Sequence, residues 1–211
     1  MKITIIGASG FVGRATVDTA LKDGHQVIAV SRHGDFPAHK DLTVIHHDIN
    51  DWQALVPQLT GTDLIISTFN AGWKNPNLYH DFLAGAHAIN QLANKLDQRI
   101  IIVGGASSLY DRKTGHQLYQ DGNKEFQAMV RGAYDLYQDV KHDLSFKWTF
   151  VSPAVDLNDS APSDDYNVGG DYVLYDHRGN SRISVYDLAD LLINVAPNAQ
   201  LLHRRITLAE K

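Results

Sequence analysis

The chain has 211 residues, of which 44% are hydrophobic and 20% are charged, and its formal net charge is −5. This length fits one domain, with or without a small appended lobe, and the composition excludes a disordered or fibrous protein. The acidic balance and the lack of a basic cluster argue against nucleic-acid binding.

Cysteine is absent from the sequence, which excludes disulfide bonds, thiolate nucleophiles and cysteine-ligated metals. The N-terminal apolar run is too short for the hydrophobic region of a signal peptide. No stretch approaches the roughly 18 apolar residues of a membrane span. We therefore expect a cytoplasmic monomer or homodimer whose partner is a small molecule rather than a nucleic acid or a membrane.

Short apolar runs alternate with longer amphipathic segments along the chain. This alternation predicts a parallel sheet covered by helices on both faces. The predicted strands span residues 2–6, 26–30, 42–46, 64–67, 99–103, 148–151 and, at the end of the chain, 205–208. The predicted helices span residues 12–22, 52–59, 78–96 and 123–143, and a last helix begins after Ser184 and ends before Pro197.

Capping residues predict where several helices begin or end. Asp23 and Gly24 end the first helix, because glycine adopts a left-handed conformation at little cost. Asp51 is expected to accept a hydrogen bond from the first free amide of the second helix. From residue 156 the sequence loses its helical period and becomes rich in Asp, Ser, Gly, Pro and Tyr. We expect residues 156–190 to contribute a small substrate lobe to a single domain that spans residues 1–211.

A glycine-rich turn follows the first strand and opens the first helix. At such a junction, free backbone amides and the helix dipole meet the pyrophosphate of a dinucleotide. Gly7 permits the tight turn, Gly10 lets the backbone approach the phosphates, and Gly13 lets the helix pack against the strand. The alternative is a glycine-bearing turn without a ligand. The predicted dinucleotide contacts in this turn are Gly7, Ala8, Ser9, Gly10, Phe11, Val12 and Gly13.

The second strand ends without the acidic residue that binds the ribose 2′-hydroxyl in an NAD site. Arg32 stands there, next to Ser31. A guanidinium group offers several donors to a phosphate, so Arg32, with Ser31 and Arg14, is a candidate to bind the 2′-phosphate of NADP. The alternative is a solvated arginine at a strand end. The sequence thus favours NADP over NAD as the cofactor.

Asp48 follows the third strand, at the place where the adenine ring of a dinucleotide would lie. Its carboxylate is able to accept a hydrogen bond from the exocyclic amine of adenine or to cap the next helical segment, and the sequence leaves both readings open. The nearby histidines lack the spacing of a zinc site, so no metal is expected. They are His33, His39, His46 and His47.

Several motifs resemble those of the atypical short-chain dehydrogenases that bind NAD(P)H, especially the NADH-flavin reductase group related to biliverdin-IXβ reductase. The matching segments extend over most of the chain and are GASGFVG at 7–13, DI at 48–49, VGGAS at 103–107, WTFVSPA at 148–154 and ISVYDLA at 183–189. The first is shared by many relatives, whereas the last two are more particular to this group. The resemblance implies a Rossmann-type, doubly wound α/β fold with strand order 3-2-1-4-5-6 and the cofactor across the carboxyl ends of the strands.

The resemblance also implies that the loops after the fourth, fifth and sixth strands meet the nicotinamide ribose and ring. Ser107 is the candidate catalytic residue, because it follows a buried strand and two glycines, and the alternative is an ordinary turn serine. The further cofactor contacts that the resemblance implies are Ile49, Thr68, Phe69, Asn70, Gly104, Ser152, Pro153 and Ala154.

Tyr137 and Lys141 form the pattern Y-x-x-x-K, by which typical short-chain dehydrogenases move a proton. The predicted helix starts at the active-site edge of the sheet, and Tyr137 lies about 14 residues into it, roughly 20 Å along its axis. We therefore expect this pair at the opposite edge, on a solvated or half-packed helix face, without a catalytic role.

Without that pair, the chain resembles relatives that mainly position NAD(P)H next to an acceptor. We expect an NADPH-dependent oxidoreductase that transfers hydride to a flavin or a similar planar acceptor, such as a quinone. Tyr110, Tyr119 and Phe126 are candidates to stack on that acceptor, the alternative being core or lid packing. Other functions left open are a non-catalytic NAD(P)-binding redox sensor and, ranked last, an epimerase of nucleotide sugars, because no tyrosine base stands near residue 123.

Overall fold

The computed structural model describes residues 1–163 and 165–211, which form a large sheet with helices on both of its faces. The strands are β1 (Lys2–Ile6), β2 (Gln26–Ser31), β3 (Leu42–His46), β4 (Leu64–Ser67), β5 (Ile100–Val103), β6 (Trp148–Ser152), β7 (Asp156–Asn158), β8 (Tyr166–Gly169), β9 (Arg182–Ser184) and β10 (Arg204–Glu210). The helices are α1 (Phe11–Lys22), α2 (Trp52–Leu55), α3 (Leu78–Lys95), α4 (Leu118–Asp121), α5 (Lys124–Val140) and α6 (Val185–Asp190). Short 3₁₀ turns span Ile49–Asp51, Ala106–Ser108 and Ala199–Leu201, and α6 continues as a π-helix over Leu191–Val195.

The eight-stranded sheet has the order β3-β2-β1-β4-β5-β6-β10-β8. All neighbouring strands in it are parallel except β8, which runs antiparallel to β10. The order 3-2-1-4-5-6 implied by the resemblance is confirmed, and with it the Rossmann-type α/β fold. Strands β1 to β3 extend the sheet in one direction, and β4 to β6 extend it in the other. In open α/β folds, the point where the strand order reverses opens a crevice at the carboxyl ends of the strands.

Each central strand is buried on both of its faces, because helices cover the sheet on either side. Ile5 and Ile66 belong to the core under α1 and α6, whereas their neighbours Ile6 and Ile65 belong to the core under α3 and α5. These four side chains are at most 2% exposed. Burial of each isoleucine side chain contributes about 1.5–3 kcal/mol to the stability of the fold. The sheet is therefore a stable support for the loops at its edge.

Residues beyond 155 cover one end of the sheet. β8 extends the sheet as an edge strand, β7 and β9 pair in a separate two-stranded sheet, and α6 packs against α1. The three short strands were not predicted, because their irregular composition carries no alternating pattern. Residues 156–190 include Asp164, which lies outside the described residues.

The prediction that Asp51 caps the second helix is wrong. The helical segment starts earlier, with the 3₁₀ turn, and the side chain of Asp48 accepts a hydrogen bond from the amide of Asn50 at 2.9 Å. The Asp51 side chain makes no capping bond and lies 3.5 Å from the Nε2 atom of His47.

The second helix is shorter than the predicted span of 52–59. Proline has no amide hydrogen, so Pro57 cannot continue the helical bond to the carbonyl of Gln53, which instead accepts from Val56. None of the described helices is long and apolar enough to cross a membrane.

Candidate functional site

A cleft of about 770 Å³ runs along the carboxyl ends of the central strands. This volume falls within the range of about 300–1,000 Å³ that is usual for small-molecule and cofactor sites. The loops that follow β1 to β6 all contribute to its walls. Of the residues predicted from the sequence, those that line the cleft are Gly7, Ser9, Gly10, Phe11, Val12, Ser31, Arg32, Asp48, Ile49, Thr68, Phe69, Asn70, Gly104, Ser107, Phe126, Pro153 and Ala154.

Two glycines of the first turn are required by close backbone contacts. Gly7 has a φ angle of +82°, and a Cβ atom on it would lie 2.7 Å from the carbonyl oxygen of Thr68. A Cβ atom on Gly13 would lie 2.2 Å from the carbonyl oxygen of Gly7. Any side chain at either position would therefore push the start of α1 away from the strands.

Free amides face the space beside this turn. Gly10 is the N-cap of α1 and carries no capping side chain, and the first helical bond runs from the amide of Arg14 to the carbonyl of Gly10. Within the described part of the chain, the amides of Phe11 and Val12 therefore have no acceptor. Unpaired amides at a helix N-terminus favour an anion, and the pyrophosphate of a dinucleotide fits this arrangement.

Two arginines flank the turn in different ways. Arg14 is held, because its Nε donates to the carbonyl of Ser9 and its Nη1 to the carbonyl of Asp35, both at 3.1 Å. Arg32 is exposed at the cleft wall, and its guanidinium has no hydrogen bond or ion pair with a described residue. Arg32 is thus available to a phosphate, whereas Arg14 stabilises the contact between the turn and the loop after β2. The hydroxyl of Ser31 donates to the carbonyl of His33 at 3.0 Å.

Asp48 has the capping role that was one of its two readings. Its Oδ1 atom accepts from both the backbone amide and the side-chain amide of Asn50, each at 2.9 Å. Asp48 also lies in the cleft wall, so a contact to adenine through its second oxygen stays a prediction. Among the described residues, no group of three or more His, Asp or Glu side chains is placed to hold a metal ion.

Ser107 lies in the 3₁₀ turn after β5 and is 3% exposed. Its hydroxyl oxygen has no hydrogen-bond partner among the residues the structure describes, although Ser107 lines the cleft. Leaving a buried hydroxyl unpaired costs about 1–3 kcal/mol, so a polar ligand group in the cleft would stabilise it. Gly104 makes room at the strand end, since a Cβ there would lie 2.1 Å from Cζ of Phe150.

One part of the cleft is apolar. Phe69 stacks on Phe82, with ring centroids 6.2 Å apart. Next to this pair lies α5, since a Cβ on Gly132 would be 2.7 Å from Cδ1 of Phe82, and the buried residues of α5 are Gly132, Leu136 and Val140. The residues of α5 that line the cleft are Phe126, Ala128, Met129, Val130, Gly132 and Ala133, and four of them, Phe126, Met129, Val130 and Ala133, repeat at helical spacing. Met129 is 51% exposed, so the sheet leaves this stripe uncovered for a ligand.

Tyr79 stands at the start of α3 and also lines the cleft. Its hydroxyl donates to Oδ2 of Asp135 at 2.8 Å, and the guanidinium carbon of Arg131 lies 4.5 Å from its ring centroid. The hydrogen bond to the carboxylate raises the pKa of Tyr79 above its usual value of 10.0, followed by the effect of desolvation. At neutral pH Tyr79 is therefore a neutral phenol and not a base.

Several predicted residues lie outside the cleft lining. Ala8, Gly13 and Ser152 are buried behind it, and the Ser152 hydroxyl has no partner in the described part of the chain. The structure does not bring Tyr110 or Tyr119 into the cleft. Tyr110 packs beside Tyr172 and Tyr119 stacks on Tyr134 of α5, although the neighbouring Leu118 does line the cleft.

The motif of Tyr137 and Lys141 does not line the cleft either. Tyr137 packs against Phe150, with ring centroids 5.0 Å apart, and under the guanidinium of Arg205. Burial raises its pKa. Tyr137 is half-buried, as predicted, but it does not lie at the opposite edge of the sheet: Arg205, which it packs against, is bonded to Ser108 in the turn after β5.

Sequence reasoning missed the apolar wall and Tyr79. The signal for the wall was present as the spacing of Phe126, Met129, Val130 and Ala133, at i, i+3, i+4 and i+7. Such a stripe is usually interpreted as core packing, and only the structure shows that these residues line the cleft. Trp73, which is 68% exposed in the loop after β4, also lines the cleft and carried no distinguishing pattern.

Comparisons with known proteins also indicate a dinucleotide-binding protein, and they cover most of the chain. Residues 7–199 match the NAD(P)H-binding protein family. A crystal structure of a putative NADH-flavin reductase from Streptococcus pneumoniae superposes with a TM-score of 0.88 and 31% identity, covering 100% of both chains. That of a putative epimerase from Bacteroides thetaiotaomicron superposes with a TM-score of 0.89 and 30% identity, covering 99% of this chain and 96% of the other.

A curated relative of full length is the uncharacterized protein YwnB of Bacillus subtilis. It is 27% identical over 215 residues, which cover 100% of this chain and 99% of the relative. The strand order, the glycine turn and these matches agree, and the chain belongs to the NAD(P)H-binding family, whose cofactor is a nicotinamide dinucleotide.

Proposed function

We propose that this protein is an NADPH-dependent reductase that transfers hydride to a flavin or a similar planar acceptor such as a quinone. The observation that carries the proposal is one continuous cleft that joins the glycine turn, the unpaired hydroxyl of Ser107 and an uncovered apolar wall. A dinucleotide would extend from the turn to Ser107, and the acceptor would occupy the remaining apolar part.

The free guanidinium of Arg32 supports NADPH over NADH as the cofactor. Arg32 lies where the second strand ends, in the cleft wall, and it is not neutralised by an acidic partner within the described residues. A phosphate on the ribose 2′-oxygen would give it charge-assisted hydrogen bonds, which contribute about 1.5–3 kcal/mol. The ribose of NADH offers only a hydroxyl there.

The cofactor supplies the chemistry: NADPH gives a hydride from its nicotinamide to N5 of the oxidised flavin, and with one proton from solvent the products are NADP⁺ and reduced flavin. The chain positions the reactants. The start of α1 binds the pyrophosphate, Ser107 holds the nicotinamide end, and the apolar wall keeps water from the reacting rings. We propose that the proton comes from water, because the hydroxyl of Tyr79 in the cleft lining already donates to Asp135.

The acceptor subsite is proposed against the apolar wall formed by the stripe on α5 and the neighbouring pair of Phe69 and Phe82. Phe126 is the predicted acceptor contact that lies in this wall, with Met129 next to it. Flat rings fit between aromatic and thioether groups, whose contacts with a π-system contribute about 0.3–1.5 kcal/mol each. Leu157 also lines the cleft, which supports a role for residues 156–190 in substrate binding within one domain of 1–211.

The similar structures are named for different reactions, and features of the site support one of the two. The relative at 31% identity is named for flavin reduction and the one at 30% for epimerisation. An epimerase needs a base near the substrate carbon, but Tyr79 is held neutral by Asp135 and Tyr137 lies outside the cleft. These features support the reductase. The lack of cysteine fits a reducing compartment such as the cytoplasm, with the protein as a monomer or a homodimer.

The test is the oxidation of NADPH by the purified protein with FMN, FAD and a quinone as acceptors, monitored by the loss of nicotinamide absorbance. We expect turnover with at least one planar acceptor and a lower KM for NADPH than for NADH. Tight binding of NADPH with no oxidation by any acceptor would reject the reductase and favour a redox sensor. Where Arg32→Ala is compared with the wild-type protein, the matched control for net charge is Arg178→Ala, which removes an exposed arginine outside the cleft.

A further inference from the structure

The last strand in the sequence, β10, carries an arginine whose side chain is hydrogen-bonded to the turn that contains Ser107. Arg205 lies on β10, and its side chain is only 1% exposed. Its Nη1 atom donates to the carbonyl oxygen of Ser108 at 2.8 Å and to the hydroxyl of Ser108 at 3.0 Å. The other nitrogens of the guanidinium donate to Asp171, with the shortest distance 2.7 Å to Oδ1.

A second side chain holds the same carbonyl. The Nε2 atom of Gln117 donates to the carbonyl oxygen of Ser108 at 2.8 Å, and the hydroxyl of Tyr134 orients Gln117 by donating to its Oε1 at 3.0 Å. The carbonyl of Ser108 thus accepts from two buried side chains that come from different parts of the chain. Both of its lone pairs are used, which fixes the peptide plane between Ser108 and Leu109, one residue after Ser107.

We propose that Arg205 is a positioning residue, which with Gln117 holds the turn of residues 106–108 so that the hydroxyl of Ser107 meets the nicotinamide end of the cofactor. This inference rests on the proposed function in placing the nicotinamide at Ser107. Arg205 and Gln117 do not line the cleft and would not touch the cofactor. Their effect on the site passes through Ser108 and then Ser107.

The network contributes little net free energy if its only role is to stabilise the fold. Burying a guanidinium against a carboxylate returns little net stability, since desolvation offsets most of the attraction. The side chain of Asp171 is also 58% exposed, so water weakens its attraction for the deeply buried guanidinium of Arg205. A fixed turn next to an unpaired hydroxyl explains the arrangement better, because a hydroxyl that must meet a ligand needs its backbone held.

The experiment is a double-mutant cycle between Arg205→Lys and Ser107→Ala, measured first on the dissociation constant for NADPH and then on turnover. Lysine keeps the charge and loses the fork of donors. We expect each single change to weaken NADPH binding about fivefold, and the double change to weaken it no more than about fivefold. Measuring the dissociation constant for NADPH does not require turnover. The cycle therefore still tests the role of Arg205 if the protein binds NADPH but is not a reductase.

Independent effects, with the double variant weakened about 25-fold, would overturn the proposal, because Arg205 would then act without Ser107. So would unchanged NADPH binding in folded Arg205→Lys protein, or a wild-type protein that binds no NADPH. If Arg205→Lys fails to fold, the same cycle is run with Gln117→Ala. Arg182→Lys is the matched control, because Arg182 pairs with Glu210 at 2.7 Å away from the cleft, and it should leave NADPH binding unchanged.

Discussion

Gly13 faces the carbonyl oxygen of Gly7 so closely that a methyl group on Gly13 would lie 2.2 Å from that oxygen. The contact lets α1 begin directly against the end of β1, with its free amides at the cleft. Gly13→Ala should therefore shift the turn and weaken NADPH binding by about tenfold or more, with a loss of about 1–3 kcal/mol in the free energy of unfolding. Calorimetric titration and denaturant unfolding measure the two effects.

Gly24→Ala provides the control for this substitution. Gly24 has a φ angle of +77° at the end of α1, and a Cβ on it would meet nothing within 4 Å. We expect a cost of about 1 kcal/mol in stability from backbone strain, with NADPH affinity unchanged. Equal losses of affinity in the two variants would show that the glycine turn has no special part in binding.

The preference for NADPH should depend on Arg32. Arg32→Ala removes the free guanidinium at the cleft wall, so we expect NADPH affinity to fall about tenfold to a hundredfold. NADH affinity should change by less than about twofold, because its ribose carries no phosphate for the guanidinium. An unchanged ratio of the two affinities would contradict the assignment of Arg32.

Ser107→Ala should separate stability from function. The Ser107 hydroxyl is buried and unpaired within the described residues, so its removal should leave the free energy of unfolding unchanged or slightly higher. Turnover should nevertheless fall about tenfold or more, because the hydroxyl pairs with bound cofactor. The control is Thr207→Val, which removes another buried, unpaired hydroxyl outside the cleft and should not alter turnover.

The apolar wall should set the affinity for the acceptor. Met129 is half exposed, so Met129→Lys should cost little stability while raising the KM for a flavin about fivefold to tenfold. The dissociation constant for NADPH should stay the same. Leu144→Lys changes an apolar residue that is 72% exposed outside the cleft, and it should affect neither constant. A rise in KM for both variants would point to a general surface effect.

Tyr79 should behave as a neutral phenol throughout the physiological range. Since its folded-state pKa is raised, its contribution to stability is fully present below the unfolded value of 10.0 and is lost as pH rises through the folded pKa. Tyr79→Phe should therefore retain NADPH oxidation at neutral pH within about twofold, and should flatten the loss of stability above pH 10. A basic limb in the neutral pH–rate profile that disappears in Tyr79→Phe would show a tyrosine base and favour epimerase chemistry.

The sequence was sufficient for the parallel strands of the large sheet and for the glycine turn, but not for the antiparallel edge strand β8. Buried parallel strands read as continuous apolar runs, and Gly7 and Gly13 stand where only glycine avoids a backbone clash, so local patterns carry this information. Helix ends were less certain: Asp48 and Asp51 are both suitable caps, and the 3₁₀ turn that decides between them has no clear sequence signature.

The rest of the site depends on contacts between distant residues. Arg205 and Ser108 are 97 residues apart, and no local pattern links them. Tyr110 and Tyr119 follow Ser107 closely in sequence, yet neither lines the cleft, whereas Phe126 lies in the wall. Proximity in sequence was a poor guide there because these two rings pack against other tyrosines instead.

The central claim is that the free amides at the start of α1, beside Gly10, form the site for the phosphates of a nicotinamide dinucleotide. Calorimetric titration of the wild-type protein with NADPH tests it most directly. The structure predicts saturable binding of one NADPH per chain, which is weakened about tenfold or more in Gly13→Ala and unchanged in Gly24→Ala. No heat and no thermal shift at saturating NADPH would contradict it.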